Sequence, residues 1–169
     1  MKILIPLDDS ELSQSVLPWV HTLFGASPGA EVHLLTVTDP SKATSKVDWA
    51  HSNTSPPTSA GTMVIGAHYP RVVESHGQAL ERVHTEAEER LRTIAADALP
   101  EFTVHVHSAW SEHTVDEIVR MATEVKADVI AMATHGRSGV SHLVAGSVAE
   151  GVIRKSGRPV LVYRPSTDA

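Results

Sequence analysis

The sequence predicts a doubly wound α/β domain built on a five-stranded parallel sheet with helices on both faces. Five short apolar runs alternate with helical patterns, and parallel neighbours cannot be joined by tight turns, so the alternation reads as a series of βαβ crossovers. Two of the runs, Ile3-Leu4-Ile5 and Val129 to Ala133, are apolar on both faces, as strands covered by helices on each side must be. The 169 residues, 41% hydrophobic and 20% charged, suit one hydrophobic core, so residues 1–169 read as a single domain.

Taken in order, the first strand is expected at Ile3 to Leu7. A helix begins near Ser10, with Leu12, Val16, Val20 and Leu23 as its buried stripe. Pro18 falls inside it, lacks an N–H and clashes with the preceding turn, so a bend is expected there. The second strand runs from Val32 to Val37. From Asp39 to about Tyr69 the chain is rich in Ser, Thr, Pro, Ala and Gly without periodicity, which reads as a long flexible loop whose composition points to disorder.

The next helix buries Leu80, Val83, Ala87, Leu91 and Ile94, with Glu86/Arg90 and Glu88/Arg92 pairs at i,i+4 on a solvated face. The third strand, Thr103 to His107, alternates polar with apolar and suits a sheet edge. A helix from Thr114 to Val125 buries Val115, Ile118, Val119 and Ala122. The fourth strand is Asp128 to Ala133, and the last, Val160 to Tyr163, reads as the other edge. The first and fourth strands form the central pair.

Charge and residue types narrow the function. The formal net charge of -6 argues against nucleic acid, whose binding needs Lys and Arg to neutralise phosphates. With no cysteine, disulfides, thiolate metal sites and cysteine nucleophiles are excluded. The amino-terminal apolar run is too short for a signal peptide, and no stretch approaches the roughly 20 apolar residues of a membrane span. A cytoplasmic location without membrane contact is the expectation.

Ligands of open parallel sheets bind beyond the carboxyl ends of the strands, where the strand order reverses. That rule selects Pro6-Leu7-Asp8-Asp9-Ser10 and Ala133-Thr134-His135-Gly136-Arg137-Ser138-Gly139. The second loop leads into Gly146-Ser147-Val148-Ala149-Glu150, where Ser147 and Glu150 have capping-box spacing at a helix start. A helix start offers N–H groups and a positive dipole end to phosphate, glycines let the backbone approach closely, and Arg137 adds a charge. Each glycine alone reads equally well as a turn; the combination after a buried central strand favours a phosphate site. Asp8, just before a helix, reads either as its N-cap or, with Asp9 or Ser10 as the cap, as a carboxylate left for a ligand hydroxyl, the reading that the switch-point rule favours.

Ala133-Thr134-His135-Gly136, followed nine residues later by Gly146-Ser147 and closing with Arg158-Pro159-Val160-Leu161-Val162, resembles the signature of the universal stress protein family. The ATP-binding members carry Gly-x2-Gly-x9-Gly-Ser/Thr; here Ala133 replaces the first glycine and the rest matches. The opening Ile3 to Ser10 is similar as well. The resemblance covers all but the Asp39 to Tyr69 loop. It implies the strand order 3-2-1-4-5 of the adenine nucleotide alpha hydrolase-like folds and a homodimer formed through the last strand. It further implies that Pro6, Thr36, Val37 and Met132 enclose adenine and Asp8 contacts the nucleoside. Ala133 lies by the ribose, while Gly136, Arg137, Gly146, Ser147 and Val148 hold ribose and phosphates.

The expected ligand is ATP, with AMP and cyclic AMP as alternatives and Mg accompanying ATP. His135 is read as a hydrogen-bonding loop residue, since no activated nucleophile stands beside it. The P-loop pattern is absent, because Gly146-x4-Gly151 is followed by Val152-Ile153. Leu7-Asp8-Asp9-Ser10 stands where related adenylating enzymes carry a Ser-Gly-Gly type loop. No catalytic residue is assigned; the reading is a nucleotide-responsive, non-enzymatic stress protein with at most slow hydrolysis. The alternatives are a nucleotide-free interaction module and a true ATPase. His105 and His107 share a strand face, with His113 nearby, but no third ligand is fixed by spacing, so no metal is assigned.

Overall fold

The structure is a computed structural model that describes residues 1–42, 47–49, 70–72, 74–134 and 146–165. Its main sheet has five parallel strands: β1 (Lys2–Pro6), β2 (Glu31–Thr38), β5 (Thr103–Trp110), β6 (Val129–Ala133) and β7 (Val160–Tyr163). They lie in the order β5-β2-β1-β6-β7, the expected 3-2-1-4-5 once the strands are counted within this sheet. The register runs from Lys2↔Glu31 to Pro6↔Leu35 between β1 and β2, and from Glu31↔Thr103 to Thr38↔Trp110 between β2 and β5. On the other side Ile3 pairs with Val129 and Ile130 with Val160.

The helices are α1 (Glu11–Gln14), α2 (Leu17–Phe24), α3 (His76–Ala98), α4 (Thr114–Glu124) and α5 (Ser147–Lys155). They divide the core into two layers. Ile3, Ile5, Val32 and Leu34 face Val16 and Val20 at the start of the chain and Leu91 and Ile94 of α3. On the opposite face, Leu4, Leu35 and Ile130 meet Ile118 and Met121 of α4 and Val152 of α5. Consecutive residues of β1 feed opposite layers, which explains why Ile3, Leu4 and Ile5 are all fully buried. Each such side chain contributes about 1.5–3 kcal/mol by leaving water.

The first helical segment differs from the continuous bent helix expected. Ser10 caps α1, its hydroxyl accepting from the Ser13 N–H at 3.2 Å, and the turn closes through Ser15 N–H to the Leu12 carbonyl at 2.9 Å. A new helix starts at Leu17, which puts Pro18 in the first turn, where no intrahelical N–H partner is needed. The break resets the helical phase. Val16, Leu17 and Val20 are buried, Leu12 only half so, and Leu23 is 53% exposed instead of buried.

Helix α3 opens with a capping box between Ser75 and Gln78 and buries Ala79, Ala87, Leu91 and Ile94, with Leu80 and Val83 half-buried. Glu88 and Arg92 pair as expected at 2.6 Å. The Glu86/Arg90 pair does not form: Glu86 meets Arg82 at 3.3 Å, and Arg90 reaches across to Asp9 and to the Thr36 hydroxyl. On α4 the buried residues are Ile118, Met121 and Ala122, with Val115 and Val119 half-buried.

The loop expected from Asp39 to Tyr69 contains more order than its composition signals. Pro40–Lys42 form a 3-10 turn, and β3 (Val47–Trp49) pairs antiparallel with β4 (Pro70–Val72), from Val47↔Val72 to Trp49↔Pro70. Residues 43–46 and 50–69 of that stretch lie outside the described residues. No helix among the described residues is long and apolar enough to cross a membrane.

Candidate functional site

A cavity of about 310 Å³ opens at the carboxyl ends of the central strands, beside the start of α5. Strand β1 and the turn after it supply Pro6, Leu7 and Asp8, and β2 supplies Leu35 and Val37. The end of β6 supplies Met132, Ala133 and Thr134, and the first turn of α5 supplies Gly146, Ser147, Val148 and Ala149. Thr114 and Ile118 of α4 and Ser13 of α1 complete the lining. Leu35, Val37, Ile118 and Met132 make an apolar wall; Asp8, Ser13, Thr114, Thr134 and Ser147 add polar groups.

Each part has a local cause. Beyond β1 the chain stays tied to the sheet through Leu7 N–H to the Leu35 carbonyl at 2.8 Å. Asp8 follows at once, and its carboxylate accepts from the Ser10 N–H at 2.9 Å. Because Ser10 caps α1, Asp8 is not the helix cap, in agreement with the role separation the sequence suggested.

On the other side of the crevice, the Gly146 N–H donates to the Thr134 hydroxyl at 2.7 Å, tying the start of α5 to the end of β6. The capping assignment shifts by one residue. Gly146 is the N-cap, with φ -51° and ψ 157°, and Ser147 is already helical. Gly146 has no side chain to cap the helix, so the first-turn amides of α5, at the cavity end of the helix, have no intrahelical acceptor. That is the electrostatic setting in which anionic oxygens are stabilised.

Of the residues singled out in the sequence, Pro6, Asp8, Val37, Met132, Ala133, Gly146, Ser147 and Val148 line this one cavity. Thr36 does not. Period-2 alternation sends it to the opposite face of β2, where it is buried and donates to the Leu7 carbonyl at 3.0 Å. His135, Gly136 and Arg137 lie outside the described residues. Ala133 occupies ordinary strand backbone; among the described residues Lys126 is the single non-glycine with positive φ.

Leu7, Thr134 and Ala149 fall in the segments the sequence selected but were given no role there, and sequence reasoning missed Ser13, Leu35, Thr114 and Ile118 as site residues. Leu35 was legible from Val37 by alternation, and Thr134 from its place directly after β6. Ser13, Thr114 and Ile118 reach the site only through the packing of their helices.

The doubly wound sheet with a cavity at its switch point defines the class as an open α/β fold. The universal stress protein family model matches residues 1–164, and the chain belongs to that family. Universal stress protein MJ0577 of Methanocaldococcus jannaschii is 43% identical over 49 residues, a stretch covering 29% of this chain and 30% of that protein. The chain thus spans less than a third of that curated relative in the matched region. The solved structure of MJ0577 superposes over 99% of this chain and 97% of its own, with TM-score 0.67 and 26% identity.

Two further solved structures share the fold at lower identity. A universal stress protein in complex with cAMP covers 98% of each chain, with TM-score 0.54 and 19% identity. An Arabidopsis thaliana family protein with AMP bound covers 99% of this chain and 94% of its own, with TM-score 0.59 and 12% identity.

Proposed function

We propose that this chain binds an adenine nucleotide, ATP foremost, as a regulatory ligand in a stress response, without being an enzyme. The observation that carries the reading is the shape and chemistry of the switch-point cavity: Asp8 on one bank, the glycine-led start of α5 on the other, and an apolar wall between them. The apolar wall suits a purine, the carboxylate suits ribose hydroxyls, and the helix start suits phosphates. Relatives of the same fold with cAMP and with AMP support this choice of ligand class.

In this reading Pro6, Val37 and Met132 enclose adenine and Ala133 lies by the ribose. Gly146, Ser147 and Val148, with Gly136 and Arg137 of the preceding loop, hold the ribose and phosphates, and His135 of that loop adds a hydrogen bond. Mg accompanies ATP. No general base or water-orienting group is assigned, so hydrolysis is slow at most. Bound nucleotide biases the loops around the cavity and so alters association with partners in the cytoplasm.

Titration calorimetry with ATP, AMP and cyclic AMP tests the reading, with Gly146→Val as the control. The backbone angles of Gly146 are open to valine, so the variant should fold. Its branched side chain stands at the phosphate end, and ATP affinity is expected to fall about a hundredfold, or about 2.7 kcal/mol. Absence of binding by all three nucleotides would favour the nucleotide-free interaction module. Multiple turnovers within seconds would favour an ATPase.

A further inference from the structure

At the opposite end of the strands the sheet carries a second group of chemistry-bearing residues. Three histidines stand together on the α4 side of β2 and β5. The register pairs His33 of β2 directly with His105 of β5 and places His107 opposite Leu35. The rings of His33 and His105 stack with centroids 4.8 Å apart, and those of His33 and His107 at 5.3 Å. Glu31 lies two residues before His33 on the same strand face. His113, the third histidine considered from the sequence, precedes α4 as its N-cap and is not in the group.

One oxygen of Glu31 lies 3.9 Å from His33 Nε2 and 3.9 Å from His105 Nε2. The ligand atoms of Glu31, His33 and His105 all fall within 4.8 Å of one another. His33 is only 6% exposed, and its Nε2 is buried without a hydrogen-bond partner. Its Nδ1 is 3.0 Å from His107 Nε2. A buried polar nitrogen with no partner is costly, and its neighbours here are a carboxylate and a second imidazole.

We propose that Glu31, His33 and His105 form a binding site for a divalent transition metal, zinc foremost, with His107 holding the His33 ring in place. Two imidazoles and a carboxylate are a donor set of zinc sites that keep a fourth position for water. His105 is exposed at the sheet edge, which leaves that position open to solvent. When His33 Nδ1–H donates to His107, the proton is fixed on Nδ1 and the lone pair on Nε2 points to the ion, the usual outer-shell arrangement of a metal-bound histidine.

Tetrahedral zinc at about 2.0–2.1 Å from each donor brings donors to about 3.3 Å of one another. The two 3.9 Å separations from Glu31 therefore close by roughly half an ångström, and the exposed His105 ring turns out of its stack on His33 so that both Nε2 lone pairs meet one ion. Lys2 is the competitor, its Nζ 3.5 Å from the same Glu31 oxygen, and it is exposed enough to swing into water when the ion binds. His33 and the cavity residue Val37 share a face about 13 Å apart along β2, so the metal site and the nucleotide site stand or fall separately.

The test is calorimetric titration of chelator-treated protein with zinc chloride, followed by cobalt chloride with visible absorption as the readout. Zinc is expected to bind at one equivalent per chain, with cobalt showing the intense bands of low-coordinate geometry. The variants His105→Ala and Glu31→Gln, both at exposed or half-exposed positions, are expected to weaken zinc about tenfold or more while leaving the melting temperature of the metal-free protein within a few degrees. His113→Ala serves as the control and is expected to change nothing. Absence of zinc binding, or an equivalent retained at full affinity in both variants, would overturn the proposal, since the 11 histidines of the chain include others able to hold zinc adventitiously.

Discussion

Lys126 shows what a single residue records about the fold. It follows α4 at φ 57°, with Ala127 N–H bonded to the Ala122 carbonyl at 2.9 Å and Lys126 N–H to the Thr123 carbonyl at 3.2 Å. These two bonds form the Schellman motif, whose left-handed position favours glycine. A lysine there costs about 1–2 kcal/mol of backbone energy, partly offset because glycine loses more chain entropy on folding. Lys126→Gly is therefore predicted to raise stability by about 0.5–1 kcal/mol in chemical denaturation. An unchanged or lowered midpoint would contradict that reading of the turn. The same scale explains Thr36: Leu35 and Val37 face the cavity, so alternation alone directs Thr36 to Leu7 and Arg90 on the far side.

At the scale of elements, the five strands of the main sheet were legible because each carries its burial in its own sequence, whereas β3 and β4 carry no such pattern. Ile3-Leu4-Ile5 is apolar on both faces and fully buried, whereas Thr103 to His107 alternates and lies at an edge. The break between α1 and α2 was not legible from the apolar spacing, since Pro18 is compatible with either a bend or a new first turn, and the choice moved Leu23 into solvent. Arg90 likewise left its helical partner because Asp9 and Thr36 lay within reach, a tertiary contact that local spacing does not contain.

Strand β7 has a prediction of its own. Among the described residues it pairs with β6 alone, and its outer edge has no strand partner. Such edges pair readily with a second copy. Trp19, 45% exposed, lies beside that edge with its ring 5.3 Å from Tyr163 and adds apolar surface. Sedimentation at micromolar concentration is expected to give a dimer; a monomer throughout that range would contradict assembly through β7.

At the scale of the whole molecule, the two ends of the sheet gather different residues. The carboxyl ends gather Asp8, Val37, Met132 and the start of α5, and most of that set was legible because the switch-point rule converts strand order into a location. The parts contributed by α1 and α4, namely Ser13, Thr114 and Ile118, depend on helix packing and carry no local signal. The amino-terminal ends gather Glu31, His33 and His105, which no spacing could reveal, because β2 and β5 are joined only through a register between residues more than seventy positions apart.

The most direct measurement of the nucleotide reading is amide chemical-shift mapping of isotope-labelled protein titrated with ATP. The account predicts saturable shifts concentrated at Asp8, Val37, Ala133, Ser147 and Val148, with Glu31 and His33 little affected. No saturable shift, or shifts clustered away from the start of α5, would contradict it.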